Sequence, residues 1–171
     1  PCHADGDVSL HDVTEHLQVI DITAIEARVV RTGHCSQHGD MHCANVVFAG
    51  AGDGMVIDFG DAGPSVGTLD PVTLELSTIF HAQHSSLPPA WPTEQHMEKW
   101  VTVAEFVKDC AFAPFILGCR EWANEAAASP EEVIAMAYAY AMRQLKYGDT
   151  RKPLLRGLIR ACISALPPPS R

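Results

Sequence analysis

Apolar positions recur at three- and four-residue spacing over 8–17 and again over 22–30, with Ser9, Asp12 and Asp21 as candidate caps, which predicts two helices after a frayed lead-in of residues 1–7. Arg31-Thr32-Gly33 would end the second. The pattern then changes. Val46-Val47-Phe48 and Met55-Val56-Ile57 are short β-prone runs, and the turn residues Ala49-Gly50-Ala51-Gly52-Asp53-Gly54 between them predict a hairpin. That hairpin would bring Asn45 and Asp58 together, although thirteen positions separate them.

Beyond Gly60 the glycines and prolines of 61–71 predict an ordered, irregular loop. Helical periodicity follows over 72–84, and Ser85-Ser86-Leu87-Pro88-Pro89-Ala90-Trp91-Pro92 stops it. Thr93 is placed to cap a long helix to about residue 109, with further helices over 115–128, 130–146 and 152–166. Ser129, followed by Pro130, Glu131 and Glu132, is a strong start: a cap, a proline in the first turn and acids at the positive end of the dipole. Pro167-Pro168-Pro169 reads as a terminator or stiff tail. The fold class is therefore mainly α with one small β-hairpin (α+β), a single domain over 1–171: leading helices to residue 33, a polar hairpin segment over 34–71, and a helical remainder over 72–171.

Composition narrows the function. A length of 171 residues, with 47% apolar and 19% charged side chains, suits one globular domain with a sizeable core. The net charge of −9 argues against nucleic acid or an anionic membrane surface as the main partner. No apolar run approaches the roughly 20 residues that span a bilayer, and the first residues lack the basic and apolar parts of a signal peptide, so a cytoplasmic protein is expected. The six cysteines (Cys2, Cys35, Cys43, Cys110, Cys119, Cys162) are scattered and read as reduced thiols.

The chemistry is concentrated in His38-Gly39-Asp40-Met41-His42-Cys43-Ala44-Asn45 and in Met55-Val56-Ile57-Asp58-Phe59-Gly60. An Asp within H-x-D, an Asn five residues later and a second Asp ending an apolar strand resemble the catalytic core of the kinase-like phosphotransferases, in particular the aminoglycoside and choline phosphotransferase group. The resemblance implies the C-terminal lobe of a protein-kinase-like fold, ATP and Mg2+ as cofactors, and a small-molecule hydroxyl as acceptor. Phosphoryl transfer needs an oriented nucleophile and cations that neutralise the phosphate oxygens, and magnesium takes oxygen ligands, one or two of them carboxylates. Asn45 and Asp58 offer such oxygens, Asp40 would accept the proton of the attacking hydroxyl, and His38 looks structural. His42 belongs to the same motif. Asp61, in the extended Ile57-Asp58-Phe59-Gly60-Asp61-Ala62 motif, is a further candidate for the metal site, against the alternative of a solvated loop carboxylate. The family's aspartate that ties down the catalytic loop from the next helix corresponds here to Glu75, with Asp70 as the other possibility.

Other readings are simpler. Short polar residues can cap turns, and His34, Cys35, His38, His42 and Cys43 lie within ten residues as a conceivable zinc set, although their spacing is wrong for a paired finger. His81, His84 and His96 sit on predicted helices and carry no assigned role. Trp91, Trp100 and Trp122 are expected in the core or at an interface. The acids Glu94, Glu98, Glu105, Asp109, Glu121 and Glu125 of the helical region would suit a cationic acceptor.

One requirement of the kinase-like site has no counterpart here. There is no G-x-G-x-x-G and no β-rich segment bearing a lysine before residue 38. The expectation is the C-terminal part of a larger phosphotransferase, its N-terminal lobe supplied by the same protein or a partner chain; a chain opening on Pro1 fits a longer gene product. The alternative is a non-catalytic kinase-like interaction domain that has lost the lobe.

Overall fold

The computed structural model describes residues 22–50, 52–81 and 91–168. The helix expected over 8–17, the proline-rich stop after residue 84 up to Ala90, and the last prolines' end at Pro169 lie outside them. The first described helix, α1 (Ile22–Glu26), is shorter than the expected 22–30. Val29, Val30 and Thr32 are β-branched and lose χ1 freedom in a helix, and the chain extends there toward β1. Arg28 works from this connection: its Nη1 donates to the carbonyls of Ile163 and Leu166 at the end of the last helix (3.1 and 2.9 Å).

Two small antiparallel sheets form instead of one hairpin. β2 (Val46–Ala49) and β3 (Asp53–Val56) are the expected pair, with Val46 opposite Val56 and Phe48 opposite Gly54. The second sheet joins β1 (His34–Gln37) to β4 (Gly63–Val66), with His34 opposite Val66 and Gln37 opposite Gly63. The segment read as an irregular loop is thus a strand and the start of a helix. A Gly-Pro-Ser-Val strand carries no alternation to betray it, and Pro64 is tolerated because a two-stranded sheet is all edges.

Six further helices follow: α2 (Leu69–Phe80), α3 (Glu94–Glu98), α4 (Val103–Phe106), α5 (Ala113–Ala126), α6 (Pro130–Gln144) and α7 (Lys152–Ala165). None of the described helices is long and apolar enough to cross a membrane. Val72, Leu76 and Ile79 line one side of α2 and meet Ile116 of α5, Ala137 and Ala141 of α6, and Leu155, Leu158 and Ile159 of α7 in one core. The helix expected over 93–109 is broken in two. Thr93 does start it, as half of a capping box with His96, but the β-branched Val101-Thr102-Val103 run interrupts it. The break lets Met97, Trp100 and Phe106 all turn into the core. Where α3 crosses α7, a Cβ on Gly157 would lie 2.7 Å from the Glu94 carbonyl oxygen, so the crossing needs glycine.

Ser129 has the extended backbone of a cap, but its hydroxyl donates to the Arg31 carbonyl instead (3.0 Å). Glu132 takes over the capping task. Its buried carboxylate accepts from the amides of Ala128 and Gly33 (both 2.8 Å) and from the Thr68 hydroxyl (3.3 Å), fastening α6 to the start of β1 and of α2.

A second buried carboxylate anchors α2. Glu75 is fully enclosed and receives Trp100 Nε1 at 2.7 Å, Arg120 Nη2 at 2.9 Å and Arg120 Nε. The guanidinium lies 3.5 Å over the Trp100 ring and also donates to the Trp100 carbonyl. Such a pair costs desolvation and repays it only while complete. Arg120→Ala is therefore expected to lower unfolding free energy by about 3–5 kcal/mol, read from urea denaturation. Burial pushes the neighbouring thiols of Cys119 and Cys162 from an ordinary value near 9 up to about 12. The native state holds those protons more tightly than the unfolded chain, so the associated stability is complete below pH 9 and is lost as pH rises toward 12. At pH 8 a disulfide reagent should label exposed Cys35 rapidly and these two only on unfolding.

Candidate active site

The loop after β1 is shaped by a carboxylate that reaches it from α2. Asp70 Oδ2 accepts the His38 amide at 2.5 Å and Oδ1 the Gly39 amide at 3.0 Å, while the Asp70 amide donates to Gln37 Oε1 at 3.1 Å. This is the loop-tying role assigned above to Glu75, and it falls to Asp70. The reason is angular. Five residues along a helix turn the side-chain direction by about 140°, so Glu75 faces the core and Asp70 faces the loop. At the first turn of α2 the carboxylate also sits at the favourable end of the helix dipole.

Gly39 has φ 87°, and a Cβ there would run into the Asp61 backbone carbonyl, so no other residue fits. The buried His38 ring closes the loop from beneath. Its Nε2 bonds the Ile57 carbonyl (2.8 Å), which fixes the tautomer as Nε2–H and leaves Nδ1 to accept the Asp40 amide (3.3 Å). The ring also packs against Phe59, with centroids 4.8 Å apart.

Asp40 emerges with its backbone fully engaged. Its carbonyl accepts from the His42 amide and from Asn45 Nδ2, both at 2.9 Å. Its carboxylate stays 44% exposed, with His42 Nε2 3.5 Å away. His42 Nδ1 accepts the Ala44 amide (3.2 Å) and caps the 3-10 turn Cys43–Asn45, whose Cys43 amide donates to Ser77 Oγ (2.9 Å). Asn45 is buried, and its carbonyl accepts the Ile57 amide (3.0 Å), so the hairpin sets Asn45 beside the residue that precedes Asp58. Asp58 is exposed and left-handed (φ 64°, ψ 61°), a conformation a non-glycine residue adopts only where its surroundings hold it. Asp61 ends the following 3-10 turn, exposed, with its carbonyl against Gly39.

The donor set left over is made of oxygens. With Nδ2 committed to Asp40, Asn45 keeps Oδ1, and the Asp58 carboxylate accepts no hydrogen bond from any described residue. One amide oxygen and one carboxylate suit magnesium, which completes its shell with water and phosphate. Among the described residues no three His, Cys, Asp or Glu side chains gather as a metal group; His34 and Cys35 are exposed on β1, while His38 and His42 are committed to the loop.

A cleft of about 380 Å3 opens at Asp40 and His42. Thr73, Phe80 and His81 of α2 and its end, Tyr140, Arg143 and Gln144 of α6, and Tyr147, Asp149 and Thr150 beyond it line the rest. The His42 and His81 rings stack across it at 4.7 Å. The acids expected to draw a cationic acceptor are elsewhere: Glu94 and Glu98 face Arg156 and Arg160 across α3 and α7, and Glu105 pairs with Lys99. Apart from Asp40 and His42, the cleft residues were not foreseen, since they converge from segments up to about 100 residues away with no local motif.

Residues 3–74 match the model of the phosphotransferase enzyme family. The matched stretch holds the loop, the hairpin, Asp58 and Asp70, and over it the chain is similar to the kinase-like phosphotransferases, whose fold is kinase-like. No curated protein and no solved structure matches the chain significantly.

Asp70→Ala strips the His38 and Gly39 amides of their acceptor, each loss worth about 1–3 kcal/mol locally. Native-state hydrogen exchange should speed at those two amides while the amides of core helix α6 keep their wild-type protection; equal acceleration in both would mean that Asp70 acts on global stability only.

Proposed function

We propose that this chain carries the catalytic loop and metal site of an ATP- and magnesium-dependent phosphotransferase that phosphorylates a hydroxyl of a small molecule. The observation that carries the reading is the disposition of Asp40: its backbone polar groups are held by His38, His42 and Asn45, and the residue lines the cleft with its side chain 44% exposed. A carboxylate so fixed can receive a proton within hydrogen-bond reach of a bound hydroxyl. The cleft's 380 Å3 lies near the lower end of the roughly 300–1,000 Å3 found for small-molecule sites.

In this reading the acceptor hydroxyl gives its proton to Asp40 as its oxygen bonds the γ-phosphorus, and the bond from that phosphorus to the bridging oxygen breaks to leave ADP. Bound Mg2+ with ATP supplies the phosphoryl group and neutralises the charge that develops on it. Asn45 Oδ1 and the Asp58 carboxylate would hold the ion, with Asp61 nearby. His38 keeps Asp40 and Ile57 in mutual register, so that base and metal-holding strand move as one unit. The exposed Phe48, Met55 and Phe59 of the hairpin region are apolar surface that a further lobe, of the same protein or a partner chain, would cover in part.

Asp40→Asn should lower kcat by about 10²- to 10⁴-fold while leaving the KM for ATP within about threefold, in a coupled assay of ADP release. Separately, Asp58→Ala should abolish the magnesium-dependent rise in melting temperature with ATP. That rise corresponds to about 2.7 kcal/mol at 100 times the dissociation constant. A magnesium-dependent shift that survives Asp58→Ala would remove Asp58 from the metal site.

A further inference from the structure

The cleft is lined by charges of both signs. Asp40 has the His42 ring beside it at 3.5 Å. Asp149 also lines the cleft, exposed and with no ion pair among the described residues, while Lys152 is held by the carbonyls of Leu145 and Tyr147, both at 2.6 Å. Arg143 lines the same cleft from the last turn of α6, and among the described residues its guanidinium has no carboxylate or carbonyl partner. Tyr140, three residues earlier on the same helix face, adds a phenol that burial keeps protonated. The cleft therefore offers two carboxylates, Asp40 and Asp149, and one exposed guanidinium, that of Arg143, beside a hydroxyl donor.

A guanidinium presents its N–H groups as a fork that matches a carboxylate with two parallel bonds. We propose, resting on the phosphotransferase reading above, that the acceptor is a small hydroxy acid: its hydroxyl is presented to Asp40 and its carboxylate is held by Arg143. Arg143 then sets specificity and takes no part in proton or phosphoryl transfer. The acids of α3 to α5, which would have favoured a cationic acceptor, do not line this cleft.

The test is a coupled assay of ADP release by the full chain as its gene encodes it, with saturating magnesium and ATP. The acceptor panel comprises hydroxy acids, the corresponding hydroxy amides, neutral polyols, amino alcohols and sugar phosphates. Hydroxy acids should be the best acceptors, with a KM at least tenfold below that of the matching amides. Arg143→Gln should raise that KM about 10- to 100-fold, as expected for losing a charge-assisted bond, with kcat within about threefold and an unchanged melting temperature. Arg143→Lys should recover part of the loss, since it restores charge without the fork. A better reaction with amides, polyols, amino alcohols or sugar phosphates overturns the proposal, as does an unchanged KM in Arg143→Gln. If such transfer is still abolished by Asp40→Asn, the phosphotransferase reading stands and the hydroxy-acid assignment alone fails. Absence of Asp40-dependent transfer to every class overturns both.

Discussion

Two amides, those of His38 and Gly39, converge on the single carboxylate of Asp70, and the geometry of the polar site depends on that convergence. With both oxygens occupied, the loop cannot rotate without breaking charge-assisted bonds, which are about twice as strong as neutral ones. The constraint propagates in both directions. Toward the site, it holds Gly39 at a positive φ against the Asp61 carbonyl and sends Asp40 out with its backbone already paired. Toward the core, it makes the loop only as steady as α2, and α2 is steadied by Glu75 on Arg120 and Trp100. One helix thus carries two acids with separate tasks: Asp70 holds the polar loop and Glu75 holds the helix.

This division explains what could be read from the residues and what could not. The hairpin was legible because two β-prone runs flank a glycine-rich turn, and so was its consequence, the pairing of Asn45 with Ile57 beside Asp58. The late helices were legible from periodicity, with observed ends within about two residues of expectation at Ala113, Ala126, Gln144 and Ala165. The β1–β4 ladder was hidden, because backbone pairing across almost thirty residues leaves no local trace in a Gly-Pro-Ser-Val segment. The choice between Asp70 and Glu75 was open in the sequence because it turns on where α2 begins. Once the helix starts at Leu69, the angular argument decides it.

Tertiary demand also overrode local signals elsewhere. Ser129 looked like a cap and kept a cap's backbone, yet its hydroxyl went to Arg31 and the first turn of α6 was satisfied by Glu132. A Glu at that position can reach back to amides near the helix start, and here it gathers two from different segments plus a hydroxyl. Burying that carboxylate is tolerable because several donors replace its water. Glu75 follows the same rule. A sequence shows that acids are present, but not which of them will be enclosed.

The hairpin unites the fold's polar and apolar peculiarities. Asn45 and Asp58 bracket its two strands. Phe48 and Met55, on opposite faces by register, are 70% and 55% exposed, and Phe59 just beyond is 59% exposed. A two-stranded hairpin is marginal by itself, and this one is secured at its base by the Asn45–Ile57–His38 chain of hydrogen bonds rather than by burial of its own side chains. Its support therefore comes from the polar loop below, while Phe48 and Met55 are turned outward on its two faces.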